Sequence, residues 1–272
     1  MQYEIISNTR STLGEGISIR PNKPEVSWVD IEGNKVFWKN LDSGKSGVLL
    51  DFEYPSCTFS DGDSGVFISH LGGIDWVDMN YQNRQVCTTW FPNNSGLRCN
   101  DGKMDRDGNI WISTMSISHL SNQGSIWFWD RKSTPRLVLD NLTIPNSIAV
   151  DEGRNRVYFA DSAKNTIYQG NASEISPGIN SIETFFFSKD GIPDGSTLDS
   201  YGNLWNTRWD GSSVFKISWQ GEVLEVLDTP FLRPTSCVFS HNKNELLVTS
   251  ASVESDLKSG HTVRIAIGQV SG

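Results

Sequence analysis

Long apolar runs are missing from this sequence. None approaches the ~20 residues that a membrane-crossing helix needs, and Met1-Gln2-Tyr3-Glu4 is not a basic segment followed by an apolar one. The expectation is a soluble, cytoplasmic chain. Basic excess is missing too: 23 Lys and Arg stand against 32 Asp and Glu, for a net charge of −9. That balance excludes nucleic acid, whose phosphates demand a basic face, and an anionic membrane surface. It suits a site that concentrates a cation. Cysteine is sparse, and Cys57, Cys87, Cys99 and Cys237 form no CxxC pair. A zinc–thiolate centre is therefore excluded, and buried, reduced thiols are expected. The four histidines (His70, His119, His241, His261) show no HxH or HxxxH spacing. No GxSxG elbow occurs, which argues against a serine nucleophile. Helical periodicity is nearly absent.

What remains is a succession of short runs rich in Val, Ile, Trp, Phe and Tyr, broken by Asp-Gly, Gly-Asn and Asn-Lys turns. Lys35-Val36-Phe37-Trp38 and Asn109-Ile110-Trp111-Ile112 are examples. The runs repeat. An apolar residue (Ile19, Phe59, Met104, Val150, Leu198, Phe239) precedes by six or seven positions a second strand through Val26, Val66, Ile110, Val157, Leu204 and Leu246. Those second-strand positions lie 40, 44, 47, 47 and 42 residues apart. In an all-β chain that period marks propeller blades. We expect one six-bladed β-propeller domain over residues 1–272, built of four-stranded antiparallel blades. The third unit divides into strands at 101–105, 109–114, 125–129 and 136–139, and the outer strands of the fifth lie at 213–217 and 223–227. The last unit lacks a fourth strand after 262–267, and residues 3–6 are expected to fill that place and close the ring.

The innermost strand of every blade begins at the central channel, so matched positions converge there. Four residues before each first apolar residue stand Glu15, Pro55, Asn100, Asn146, Asp194 and Thr235. Carboxylate and amide oxygens at one mouth make a hard-cation site, and two carboxylates at close quarters call for a positive charge between them. Taken singly, Asn and Asp at strand starts are turn formers; the match across blades favours a site. Alternation places Arg98 on the side of Asn100, free to bind a ligand or to pair with Glu15 or Asp194. Trp111, Trp127, Trp129 and Trp205 are expected between blades, and Trp209 with Asp210 nearer a ligand. The polar segment 116–122 is either a loop over one mouth or a plain connection.

The same segments carry a family resemblance. Leu13-Gly14-Glu15-Gly16, Arg98-Cys99-Asn100-Asp101-Gly102-Lys103-Met104-Asp105, Pro145-Asn146-Ser147-Ile148-Ala149, Pro193-Asp194-Gly195 and Arg233-Pro234-Thr235-Ser236 resemble, in order along the chain, the senescence-marker-protein/gluconolactonase/regucalcin family of six-bladed propellers, which includes luciferin-regenerating enzymes. The resemblance implies that Glu15, Asn146 and Asp194 ligate one divalent metal, that Arg98 and Asn100 face the substrate, and that the reaction opens sugar (aldono-) lactones such as gluconolactone. All-oxygen ligands suit Ca²⁺, Mg²⁺ or Mn²⁺, and the resemblance admits Zn²⁺. On this reading the metal polarises the lactone carbonyl and activates water, and Asp194 is both ligand and catalytic general base. The chain departs from the family where Gly16-Ile17 replaces a Pro and an aromatic and where Ser147 replaces a Gly, which leaves the substrate open. The alternatives are a non-catalytic calcium-binding propeller, an esterase or phosphotriesterase on the same scaffold, and an interaction scaffold.

Overall fold

A computed structural model describes residues 2–49, 52–89, 95–173 and 182–267. It is nearly all-β: six four-stranded antiparallel sheets form the blades of a propeller ring. A short strand, β1 (Tyr3–Ile5), opens the chain. Blade 1 is β2 (Gly14–Ile19), β3 (Glu25–Asp30), β4 (Lys35–Asn40) and β5 (Ser46–Leu49). Blade 2 is β6 (Cys57–Ser60), β7 (Gly65–His70), β8 (Gly73–Asp78) and β9 (Arg84–Thr89). Blade 3 is β10 (Leu97–Met104), β11 (Ile110–Ser116), β12 (Gly124–Trp129) and β13 (Arg136–Leu142). Blade 4 is β14 (Pro145–Asp151), β15 (Arg156–Asp161), β16 (Thr166–Asn171) and β17 (Glu183–Phe187). Blade 5 is β18 (Ile192–Leu198), β19 (Leu204–Trp209), β20 (Ser213–Ile217) and β21 (Val223–Asp228). Blade 6 is β22 (Pro234–Phe239), β23 (Glu245–Ser250) and β24 (Val263–Ala266), completed by β1. Tyr3, Glu4 and Ile5 pair with Ile265, Arg264 and Val263, so the N-terminal strand closes the ring as expected. Among the described residues no helix is long and apolar enough to cross a membrane.

Five of the six repeat pairs face each other across the ladder between first and second strands: Ile19 with Val26, Met104 with Ile110, Val150 with Val157, Leu198 with Leu204 and Phe239 with Leu246. In blade 2 the register is shifted by one, so Phe59 faces Phe67 and Val66 faces Ser60. Side chains above and below each sheet pack on the next blade. Trp111, Phe128, Ile148 and Phe159 fill the space between blades 3 and 4. Trp205 with Val248 and Val263 fills that between blades 5 and 6, and Trp129 with Phe67 and Ile112 that between blades 2 and 3. Each such side chain contributes about 2 kcal/mol by leaving water. Trp111, Trp129 and Trp205 are thus blade core, as expected, with Trp127 packed against it, and Cys57, Cys87, Cys99 and Cys237 are free, the first, third and fourth of them buried.

The innermost strands are not regular. In blades 1, 3, 4, 5 and 6 one extra residue is inserted, between Glu15 and Ser18, Cys99 and Gly102, Asn146 and Ala149, Pro193 and Ser196, and Pro234 and Cys237. A bulge of this kind bends the strand and re-aims its side chains. It also takes carbonyls off the ladder, and buried carbonyls need donors. The neighbouring blade supplies them. Thr58 Oγ1 donates to Gly16 O at 3.0 Å, Cys57 Sγ to Asn100 O at 3.3 Å, and Asn100 Nδ2 to Pro145 O at 3.0 Å. Ser162 Oγ donates to Pro193 O at 2.6 Å, Thr207 Oγ1 to Thr235 O at 2.7 Å, and Thr235 Oγ1 to Gly14 O. These bonds tie each blade to the next around the channel at one depth.

Candidate active site

That depth is where the sequence-predicted residues meet. Glu15, Arg98, Asn100, Asn146 and Asp194 line one cavity of about 240 Å³ at the mouth where the inner strands begin. Pro55 and Thr235, at the matched positions of blades 2 and 6, do not line it. Pro55 precedes β6, which carries no bulge. The Thr235 hydroxyl is taken up by Gly14 O and Thr249 Oγ1. The positions that the repeat treats as equivalent fall into two classes. Glu15 and Asn146 occupy the last regular pair before the bulge, whereas Asn100 and Asp194 lie within it.

The polar floor is tightly ordered. Asn146 Nδ2 donates to Asp194 Oδ1 at 2.6 Å, which fixes the amide so that its oxygen is left for another partner. Glu15 Oε2 accepts from the Gly16 N–H at 3.1 Å. Arg98 Nη1 donates both to Asn100 Oδ1 at 2.7 Å and to Cys99 O at 2.8 Å. Arg98 forms no ion pair with Glu15 or Asp194 among the described residues. Its Nε and Nη2 are the donors left for a ligand. Asn100, by contrast, has both ends of its amide engaged by Arg98 and Pro145.

Glu15, Arg98, Asn146 and Asp194 are buried. Burial first, then the Asp101 charge, pushes the Glu15 carboxyl up to about 8. Asp194 is driven well above the usual carboxylate range by burial, and by the charges of Glu15 and Asp101, against the Asn146 hydrogen bond. Burial also lowers Arg98, with Glu15 acting the other way. The polypeptide alone therefore resists holding both carboxylates ionised at neutral pH.

Several wall residues escaped sequence reading. His119 projects to the cavity from the turn after β11, with φ +56°. The segment 116–122 is thus a connection that also furnishes one side of the mouth. Leu13, Met115, Ile144, Ile192 and Trp209 make the wall more apolar than Arg98 and Asn100 suggest. Trp209 lies against the cavity as expected, but Asp210 does not. Asp210 pairs with Arg233 at 2.6 Å, and the Arg233 guanidinium stacks 4.8 Å from the Trp209 ring centre. No pattern in the sequence marks these residues, because they come together only through strand ends of different blades.

Among the described residues, no three His, Cys, Asp or Glu side chains cluster as a metal site. The candidate trio instead has two carboxylates and one amide. Its fit to a hard divalent cation rests on oxygen donors only, on the two buried carboxyls, and on the uncommitted Asn146 oxygen.

Residues 13–252 match the family described as the SMP-30/Gluconolactonase/LRE-like region. The chain belongs to this family. A pentonolactonase of Haloferax volcanii is 26% identical over 268 residues, covering 94% of this chain and 87% of its own. An L-arabinolactonase of Azospirillum brasilense is 27% identical over 267 residues, covering 93% and 85%. The crystal structure of a calcium-binding protein, regucalcin, from Agrobacterium tumefaciens superposes with a TM-score of 0.89 at 25% identity, covering 97% of this chain and 92% of that one. The six blades expected from the sequence are present, and the family is the one that the motifs resemble.

Proposed function

We propose that this protein is a sugar lactonase that depends on one divalent metal ion, held by Glu15, Asn146 and Asp194. The observation that carries the proposal is the convergence of two buried carboxyls and one oriented amide from blades 1, 4 and 5 in one cavity. Carboxyls pushed up this far ionise readily only beside a cation. Family membership and the lactonases among the relatives support the reaction class.

When bound, the metal supplies positive charge that favours the ionised carboxylates and polarises an ester carbonyl. The chain's own groups do the rest. Asp194 accepts a proton from the attacking water as its oxygen bonds to the lactone carbonyl carbon. The ring C–O bond then breaks, and Asp194 returns the proton to the departing ring oxygen. The products are one carboxylic acid and one hydroxyl, the atoms of lactone plus water. Arg98, through Nε and Nη2, binds substrate oxygens and stabilises the negative charge that builds on the carbonyl oxygen. Asn100 acts mainly by holding Arg98 in place, and Asn146 by orienting Asp194. The apolar wall of Trp209, Ile144 and Ile192 takes the carbon face of the ring and excludes water.

The test is proton release from a panel of sugar lactones, a simple alkyl lactone and a phosphotriester. Chelated protein is refilled with Zn²⁺, Ca²⁺, Mn²⁺ or Mg²⁺ and compared with Asp194→Ala. Metal-dependent sugar-lactone turnover that disappears in the variant is expected. Metal binding without turnover of any lactone would replace the proposal by a non-catalytic metal-binding role. Preferential turnover of the phosphotriester would replace it by the related-esterase reading.

A further inference from the structure

Above the floor of Glu15, Asn146 and Asp194, the candidate active site is polar on one side only. Its uncommitted side-chain donors stand on blade 3. Arg98, on β10, keeps Nε and Nη2 for a ligand. The His119 ring, from the turn after β11, has no hydrogen-bond partner among the described residues. Blades 4 and 5 contribute Ile144, Ile192, Pro193 and Trp209 to the same cavity. At about 240 Å³ the cavity is smaller than most small-molecule pockets, so one ring with a short substituent fills it and meets both sides.

The polar atoms of the apolar side are already spent. The Ile144 N–H donates to Asp161 Oδ1 at 3.1 Å, and the Ile144 carbonyl accepts the Ser162 N–H at 2.9 Å. The Ser162 hydroxyl donates to the Pro193 carbonyl at 2.6 Å. Proline itself has no N–H to offer. Ile192 and Trp209 are partners across the β18–β19 ladder. The Arg233 guanidinium, 4.8 Å from the Trp209 ring centre, pins the indole, and its charge is met by Asp210 at 2.6 Å. The Trp209 indole N–H is the donor left over on this side. A substrate hydroxyl pressed against such a wall leaves water and gains no partner. A methyl or methylene in its place buries apolar surface and leaves nothing unpaired.

We propose that the preferred substrate is a deoxy sugar lactone. Its hydroxyl-bearing edge meets Arg98 and His119, and its methyl or methylene edge lies on Ile144, Ile192 and Trp209. This preference rests on the lactonase reading of the site and narrows it, since the fully hydroxylated lactone of the same ring becomes the poorer substrate. A hydrophobic pocket disfavours an added hydroxyl by about 10- to 100-fold.

The experiment uses the full chain refilled with divalent metal and two matched pairs of lactones. L-Rhamnono-γ-lactone is set against L-mannono-γ-lactone, and L-fucono-γ-lactone against L-galactono-γ-lactone. Within each pair the ring and its configuration are the same, and a terminal methyl replaces a hydroxymethyl. In at least one pair kcat/KM from proton release should favour the methyl member by about 10-fold or more. Ile192→Thr, which sets a hydroxyl on the apolar side, should cut that ratio several-fold. His119→Ala should slow both members alike and leave the ratio unchanged. A ratio near one in both pairs, or turnover confined to hydroxymethyl lactones, overturns the proposal while the lactonase reading stands. A ratio that falls in His119→Ala and not in Ile192→Thr also overturns it. Absence of turnover across these and the wider sugar-lactone panel removes the lactonase reading instead. Calorimetric binding of the same pairs then decides the ligand: tighter binding of the methyl member retains a ligand with one apolar edge, and equal or weaker binding overturns it. If Ile192→Thr fails to fold, the ratio in the unaltered chain decides.

Discussion

Removing the Arg208 side chain should unsettle both the fold and the candidate active site. Arg208, on β19, is fully buried. It donates to the carbonyls of Ser188 at 3.4 Å, Asp190 at 3.1 Å and Gly191 at 2.7 Å, and to Asn206 Oδ1 at 2.9 Å. These carbonyls belong to the turn that leads into β18, three residues before Asp194. Asn206 in turn donates to the Asp194 carbonyl at 2.9 Å. Gly191, with φ +75°, and Gly211 allow the turn to close on Arg208, since a Cβ on either would come within 3 Å of the arginine. Four acceptors left without a donor cost roughly 1–2 kcal/mol each, and the emptied volume adds about 2 kcal/mol. Against this, burial depresses Arg208 to about 10 from 12.5. The depressed value means the guanidinium stays charged at pH 7 at a desolvation cost on the order of 3 kcal/mol, which the deletion relieves. The net expectation for Arg208→Ala is a loss of about 3–7 kcal/mol. Urea denaturation of the metal-free protein measures it. Arg208→Met, which fills the volume without the donors, should recover about 2 kcal/mol of stability. It should not restore kcat/KM for lactone opening, expected to fall at least about 10-fold in both variants because Asp194 loses its anchor. An Ala variant within about 1 kcal/mol of wild type, with unchanged kinetics, would refute the reasoning.

Two further expectations concern the same channel. Burial raises the Asp101 carboxyl to about 6 from 3.8. A carboxyl that holds its proton more tightly when folded contributes stability that is present below about pH 4 and lost as pH rises to about 6, on the order of 3 kcal/mol in all. The stability difference between wild type and Asp101→Asn should therefore shift against wild type across that window; a difference independent of pH, read by denaturation of metal-free protein, contradicts this. Gly16→Ala should be severe: φ is +55° and the new Cβ would sit 2.1 Å from Ser56 O and 2.5 Å from Cys57 Cα. Backbone movement there displaces Glu15, so metal affinity measured by calorimetry should fall at least about 10-fold; an unchanged affinity would show that the bulge does not position Glu15.

Much of the architecture was legible because it rests on local patterns. The alternation of apolar residues and turns is repeated with each blade, and the pairs Ile19–Val26 and Met104–Ile110 face each other as the repeat implies. Closure by residues 3–6 followed from counting strands in the last unit. Counting back along each inner strand reached Glu15, Asn100, Asn146 and Asp194, because a propeller turns equal sequence positions into one ring. It also pointed to Pro55 and Thr235, which lie elsewhere. Pro55 precedes β6, which lacks the bulge the other five inner strands share, and the Thr235 hydroxyl is spent on Gly14 O and Thr249 Oγ1.

The sequence by itself determined which elements form, how many blades they build and which oxygen-bearing side chains crowd one mouth. These follow from period-2 alternation and turn chemistry, which act between near neighbours. Tertiary structure decided the rest. It alone sets the bulges that turn Asn100 and Asp194 inward, the bond that aligns Asn146 with Asp194, and the His119 and Trp209 walls. Each depends on groups from different blades brought within a few ångströms, and no spacing along the chain encodes that approach.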